Sequence, residues 1–175
     1  PQYSDNDGAM NQSAGNGASV ILSNSTNETS DMTIGVDVSK FQGTIDWAQA
    51  ASSGVDFAMI RVGYRAQKTG VIYADTNAKY NMQQAAANGI KVGVYFFSSA
   101  VNEAEAIEEA DWVADFIADY SITYPVAFDC EGFNTSESRQ KSMTKAERTD
   151  VAVAFLQEIY DKGYTPMFYA ASSEL

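Results

Sequence analysis

At 175 residues and 18.9 kDa, with 45% apolar and 12% aromatic residues, the chain can bury the core of one ordinary domain or most of one, and disorder throughout is excluded. Its 23 acidic against 11 basic residues leave a formal charge of −12, which lacks the footprint of a general nucleic-acid binder and argues against adsorption to anionic membranes. Histidine is absent and cysteine occurs once, which excludes histidine catalysis, a Cys/His zinc cluster and an internal disulfide. No apolar run approaches the roughly 18 residues needed to span a bilayer, so membrane insertion is not expected. The opening Pro1-Gln2-Tyr3-Ser4-Asp5 has neither the basic nor the apolar region of a signal peptide; a secreted or cell-wall protein would already have lost it.

Residues 1–31 are small, polar and almost unpatterned, interrupted only by Val20-Ile21-Leu22. Such a segment has too little apolar surface to repay the entropy of ordering, and a flexible leader is expected there. Residues 32–175 form the expected domain. From Thr33 onward, β-branched and aromatic runs at 34–39, 57–64, 91–98, 125–131 and 166–172 alternate with helical periodicity at 45–53, 76–88, 103–120 and 145–162. The third helix is expected to bury Ile107, Ala110, Val113, Ile117 and Tyr120 on one stripe, with acids in its first turn. Thr144 and Glu147 form a capping-box pattern before the fourth, and Gly163 follows its end.

Strand–helix alternation implies an α/β fold with a parallel sheet. Within the strands one parity is uniformly apolar (Val36 and Val38; Val92, Val94 and Phe96; Val126, Phe128 and Cys130). The other mixes small, polar and aromatic groups (Gly35 and Asp37; Gly93, Tyr95 and Phe97; Ala127, Asp129 and Glu131). That pattern suits an irregular TIM-like β/α barrel with a site at its C-terminal mouth better than an open sheet covered on both faces. Eight strands close such a barrel and five are present, so the chain reads as the N-terminal part of the domain. A second polypeptide or segment is expected to complete it.

The sharpest chemical feature is Asp129-Cys130-Glu131 at a strand end. Residues two apart share a face, about 6.6 Å apart along a strand, and two carboxylates so crowded favour one proton donor and one charged partner. That pair is the minimal equipment for breaking a glycosidic bond. Asp37, on the same parity of the first strand, is a third acid for the same mouth. Tyr64, Tyr95, Phe97 and Tyr169 lie at or near strand ends, where aromatic faces stack against sugar C–H faces. Arg61 shares the acids' parity and is a candidate counter-charge. Cys130 points to the opposite face and reads as a small buried residue.

These residues fall into an ordered series: Ile34-Gly35-Val36-Asp37-Val38-Ser39, Phe41-Gln42-Gly43, Ile45-Asp46-Trp47, then 57–64, Gly93-Val94-Tyr95-Phe96-Phe97-Ser98, Asp129-Cys130-Glu131 and Tyr169-Ala170. The series resembles glycoside hydrolase family 25, the Chalaropsis-type lysozymes. The resemblance implies an irregular β/α barrel that hydrolyses the β-1,4 bond between N-acetylmuramic acid and N-acetylglucosamine in peptidoglycan glycan strands, with retention. It implies Glu131 as general acid/base and Asp129 as nucleophile, or as the group orienting the substrate's acetamido. It also implies Asp37 as a supporting, sugar-binding acid, and neither metal nor cofactor. A non-catalytic cell-wall glycan-binding barrel and another polysaccharide hydrolase remain the alternatives.

Overall fold

The computed structural model describes residues 33–171, so the leader expected over 1–31 and the end of the last expected strand lie outside the described residues. Six strands make one sheet: β1 (Gly35–Val38), β2 (Phe57–Arg65), β3 (Ile72–Ala74), β4 (Lys91–Phe97), β5 (Val126–Asp129) and β6 (Pro166–Tyr169). The helices are α1 (Trp47–Ser52), α2 (Ala78–Ala87), α3 (Glu103–Ile117) and α4 (Lys145–Asp161). The five expected strands run parallel in the order β1-β2-β4-β5-β6. The fold is α/β, and among the described residues the sheet does not close: β1 and β6 are its end strands.

One strand departs from the all-parallel expectation. β3 pairs antiparallel with the last residues of β2, Gly63 to Arg65. That edge is open because β1 pairs only with Phe57 to Ile60, leaving the end of the longer β2 without its neighbour. The chain turns back through Gly70, in the left-handed region at φ 70°, and Ala66 N–H donates to Val71 O at 2.9 Å. β5 is also shorter than expected: it ends at Asp129, so Glu131 stands in the loop beyond it.

Strand parity builds the core. Ile60, Val94, Phe96, Val126 and Phe128 are almost wholly buried and share one cluster with Ala85, Ala110, Val113, Ile117, Phe155 and Ile159 of the helices. Each large side chain removed from water there contributes about 1.5–3 kcal/mol. Cys130 belongs to this cluster, as its parity required. Three of the four described α-helix starts are closed by side chains: Asp46 caps α1, Asn102 caps α3, and Thr144 with Glu147 forms the expected capping box on α4. In the Ile45-Asp46-Trp47 motif, Trp47 is buried and its indole N–H donates to the buried Asn81 Oδ1 at 3.1 Å. The stripe assigned to α3 needs two corrections. Tyr120 lies beyond the helix end at Ile117 and is only partly buried. Ile107 is exposed, and the helix buries Ala106, Glu109, Ala110, Val113, Ala114 and Ile117 instead. A carboxylate occupies the core face because a buried arginine meets it there.

Register on the inner face sets the site. Arg61 lies beside Tyr95, Tyr95 beside Ala127, and Ala127 beside Met167. One step nearer the C-terminal ends, Tyr64, Phe97, Asp129 and Tyr169 form the next row. Simple alternation from Arg61 would turn Tyr64 outward. The register shifts between Arg61 and Gly63, an irregularity that brings both Arg61 and Tyr64 into inner-face rows. Gly63 makes that passage: a Cβ there would stand 2.7 Å from the Trp112 ring and 2.7 Å from the Tyr73 carbonyl oxygen. Because the oxygen belongs to the β3 backbone, relief requires the hairpin to move. Gly63→Ala is therefore expected to cost about 1–3 kcal/mol of stability, the range for overpacking a filled core, read as a lower urea midpoint. An unchanged midpoint would show that the hairpin yields freely.

Candidate active site

Three acids stand at the C-terminal ends of the parallel strands. Asp37 projects from β1 onto the open inner face, where it is exposed, whereas Asp129 at the end of β5 is buried. Glu131 is half-buried in the loop after β5. Tyr95 links the first two. Its hydroxyl donates to the Asp37 carboxyl, and the charges of Asp37 and Asp129, added to burial, raise its pKa far above the usual 10, so it remains a donor. Although Asp37 as a whole is exposed, its carboxyl is tucked against its neighbours, and this desolvation raises its pKa above 3.8, against the opposing pull of the Tyr95 hydrogen bond and the Arg61 charge. Tyr169, half-exposed on β6, has its pKa raised first by the charge of Glu131, then by burial, Asp129 and Asp37. One phenol thus lies within electrostatic reach of all three acids.

The aromatics differ in access. Tyr64 and Phe97 are buried together with Ala66 as a small second cluster, Tyr95 is half-buried, and Tyr169 is 51% exposed. Of the four, Tyr169 offers the most open ring face.

Arg61 is buried, and its partner is a residue that strand patterning did not single out. Asp75 Oδ2, just after β3, accepts from Arg61 Nε at 3.0 Å and lies 2.9 Å from Nη2. The same oxygen accepts from the Lys40 backbone N–H at 3.0 Å, and Oδ1 accepts from Asn77 N–H at 2.9 Å. Lys40 begins a 3-10 turn (Lys40–Gln42) capped by Ser39, whose own N–H donates to Gln42 Oε1 at 2.7 Å. This explains the spacing of Ser39 and Gln42. The turn presents the exposed Phe41, with Lys40 Nζ 5.3 Å and the Arg61 guanidinium 5.0 Å from its ring centre. Both cations also stand 5.4 Å from the Tyr64 ring, which stacks on Tyr73 at 5.6 Å.

A second network ties the loops behind this mouth. Arg65, at the end of β2, donates from Nε to Glu109 Oε1 at 2.7 Å, from Nη2 to Glu108 Oε2 at 2.7 Å and from Nη1 to Gly70 O at 2.7 Å. Ser98 Oγ donates to Glu109 Oε2 at 2.6 Å, while Ser98 N–H donates to Asp129 O at 2.8 Å. Arg139, in the loop after β5, grips Glu105 through both terminal nitrogens, at 3.0 and 2.8 Å. The ends of β2 and β4, which carry Tyr64 and Phe97, and the loop beyond Glu131 are thereby clamped to the first turns of α3. No local spacing reveals such a frame; Glu109, an acid beside the apolar stripe of α3, is its one visible trace in the sequence.

Burial raises the Glu109 pKa to about 7, although Ser98 and Arg65 both oppose the rise. A folded pKa above the ordinary 4.5 means the folded chain holds this proton more firmly than the unfolded one. The contribution is complete below pH 4.5 and fades as pH climbs through 7. Unfolding midpoints are expected to fall between pH 5 and pH 8, and Glu109→Gln should reduce that dependence; an equal dependence in the variant would place its origin elsewhere. Arg65→Met should strand a buried carboxylate, at a cost of about 3–5 kcal/mol in denaturant unfolding.

A family model for Glycosyl hydrolases family 25 matches residues 36–173, and the chain belongs to that family. Lysozyme M1 of Streptomyces globisporus is 34% identical over 80 residues, 46% of this chain and 25% of that protein. The modular autolysin LytC of Streptococcus pneumoniae shares the fold at a TM-score of 0.70 and 22% identity, over 79% of this chain and 32% of that one. The same autolysin, solved in complex with a synthetic peptidoglycan ligand, aligns at 0.68 and 23% identity, over 79% and 32%. The spore cortex lytic enzyme SleM of Clostridium perfringens aligns at 0.71 and 19% identity, over 85% and 47%. The chain thus spans about a quarter of the matched lysozyme and about a third of the autolysin.

Proposed function

We propose that this chain carries the acid-bearing part of a peptidoglycan hydrolase, a muramidase that cleaves the β-1,4 bond between N-acetylmuramic acid and N-acetylglucosamine. The observation that carries the reading is the placement of Asp37 and Asp129 on the C-terminal parts of β1 and β5, with Glu131 in the loop directly after β5. Family membership and the peptidoglycan-ligand complex of the autolysin support the choice of glycan.

In this reading Glu131, half-buried beyond β5, gives its proton to the leaving oxygen and later takes one from water. Asp129 stays charged on the other side of the bond. It attacks the anomeric carbon, or orients the substrate's acetamido for that attack, and retention follows in either route. Asp37, held by the Tyr95 hydroxyl, binds sugar and supports the pair. Tyr169 offers its exposed ring to a sugar face, with Tyr64, Tyr95 and Phe97 backing the groove and Arg61 balancing the acids. The open edge at β6 is where the remaining strands of the barrel would pair, from the same polypeptide or a second one. Action on a cell wall places the protein outside the membrane, secreted or wall-associated. A purely binding site has no need of three acids at one mouth, which favours turnover over a non-catalytic barrel.

Glu131→Gln keeps the shape of the side chain and removes its proton. Clearing of purified cell walls is expected to slow by about 10²–10⁴-fold with the unfolding midpoint preserved. Activity within a few-fold of wild type would take the acid role away from Glu131.

A further inference from the structure

We propose that the corner formed by Lys40, Phe41, Arg61, Tyr64 and Tyr73 is a subsite for a carboxylate-bearing substituent of the glycan. The proposal rests on the glycan-hydrolase reading and assigns the side of the mouth to which the anionic part of the chain turns. Electrostatics supplies the first reason. Asp37, Asp129 and Glu131 line the mouth of a protein with net charge −12, so an anionic substituent is repelled there. At this corner the Lys40 ammonium stands over the same aromatic rings as the Arg61 guanidinium, on the β1–β3 flank beside the acids; the buried Asp75 balances Arg61, so Lys40 is the cation on which the subsite turns.

Exposure supplies the second. Phe41 is 55% exposed and Tyr73 is 43% exposed, and the Lys40–Gln42 turn buries none of its residues. The Phe41 ring is therefore not core filling: it meets the Lys40 and Arg61 cations while more than half of the residue stays open to solvent. A ring face flanked by cations suits a sugar whose C–H face lies on the ring while its carboxylate reaches the ammonium. The third reason is rigidity. The buried Asp75 holds the Lys40 backbone and the Arg61 side chain through one oxygen, so the corner is ordered before any ligand arrives and little entropy is lost on binding.

Two sources present this chemistry: the lactyl carboxylate of muramic acid, and the carboxylates of a peptide attached to it. NMR titration of the full protein separates them with three probes: the muramyl disaccharide with a free lactyl carboxylate, the same disaccharide bearing a peptide through that group, and neutral diacetylchitobiose. Lys40→Met is expected to weaken binding of at least one anionic probe by about tenfold, as for a lost charged hydrogen bond, with Lys40→Arg close to wild type. The probe that responds identifies the source. Wild-type affinity in both anionic probes after Lys40→Met, no wild-type binding of either, or an equal loss toward diacetylchitobiose would each overturn the subsite. Wall clearing is measured alongside. Lys40-dependent binding without clearing would remove the hydrolase reading and leave the subsite, whereas clearing with Lys40-independent binding would do the reverse.

Discussion

Two-residue alternation along five parallel strands is the constraint on which everything else depends. A strand sends successive side chains to opposite faces, and among the described residues one face packs against the helices. Ile60, Val94, Phe96, Val126 and Phe128 seal that face against α2, α3 and α4. Asp37, Arg61, Tyr95 and Asp129 are left to the other by the same periodicity. The core and the chemical surface are therefore one pattern read at odd and even positions. The departure at Val62 is instructive: without the register shift, Arg61 and Tyr64 could not both occupy inner-face rows.

Charge is handled in two ways around the mouth. Behind it, Arg65, Glu109, Ser98, Glu105 and Arg139 are joined through short hydrogen bonds that tie down the end of β2 with Tyr64, the chain at Ser98 and the chain after Glu131. Burying so many ionic groups is costly unless each is paired, and here the partners come from the end of β2, the chain after β4, the loop after β5 and α3. The result is a rigid frame with little direct contact with the acids. In front of it, Asp75 fastens the Lys40 turn to Arg61. Both devices join segments distant in sequence, so each loop depends on the others for its shape.

The relation between frame and chemistry follows from Ser98. Its hydroxyl belongs to the Glu109 network and its backbone N–H to the Asp129 carbonyl, so a single residue passes the rigidity of α3 to the strand end that carries an acid. Asp37 has a separate support in Tyr95, whose burial keeps the phenol protonated and available as a donor. Two acids from distant strands are thus positioned by independent means, while Glu131 stands on the loop between them and the rim. Family membership accords with this division, since the matched region covers both the strands and the loops.

Much of this was legible in the chain itself. Parity alone separated the helix-facing residues from Asp37, Arg61, Tyr95 and Asp129, because alternation is a local property of extended backbone. Thr144 with Glu147 announced the cap of α4 because capping acts over three residues. What tertiary structure alone decided involves partners far apart in sequence. The hairpin strand β3 exists because β1 is too short to cover β2. Asp75 lies 14 residues from Arg61 and 35 from Lys40, and Glu109 lies 44 from Arg65. On α3 the buried face includes Glu109, which meets the buried Arg65 and Ser98, and leaves Ile107 exposed at its edge. Local pattern can place a side chain on a face; only the folded chain determines what it meets.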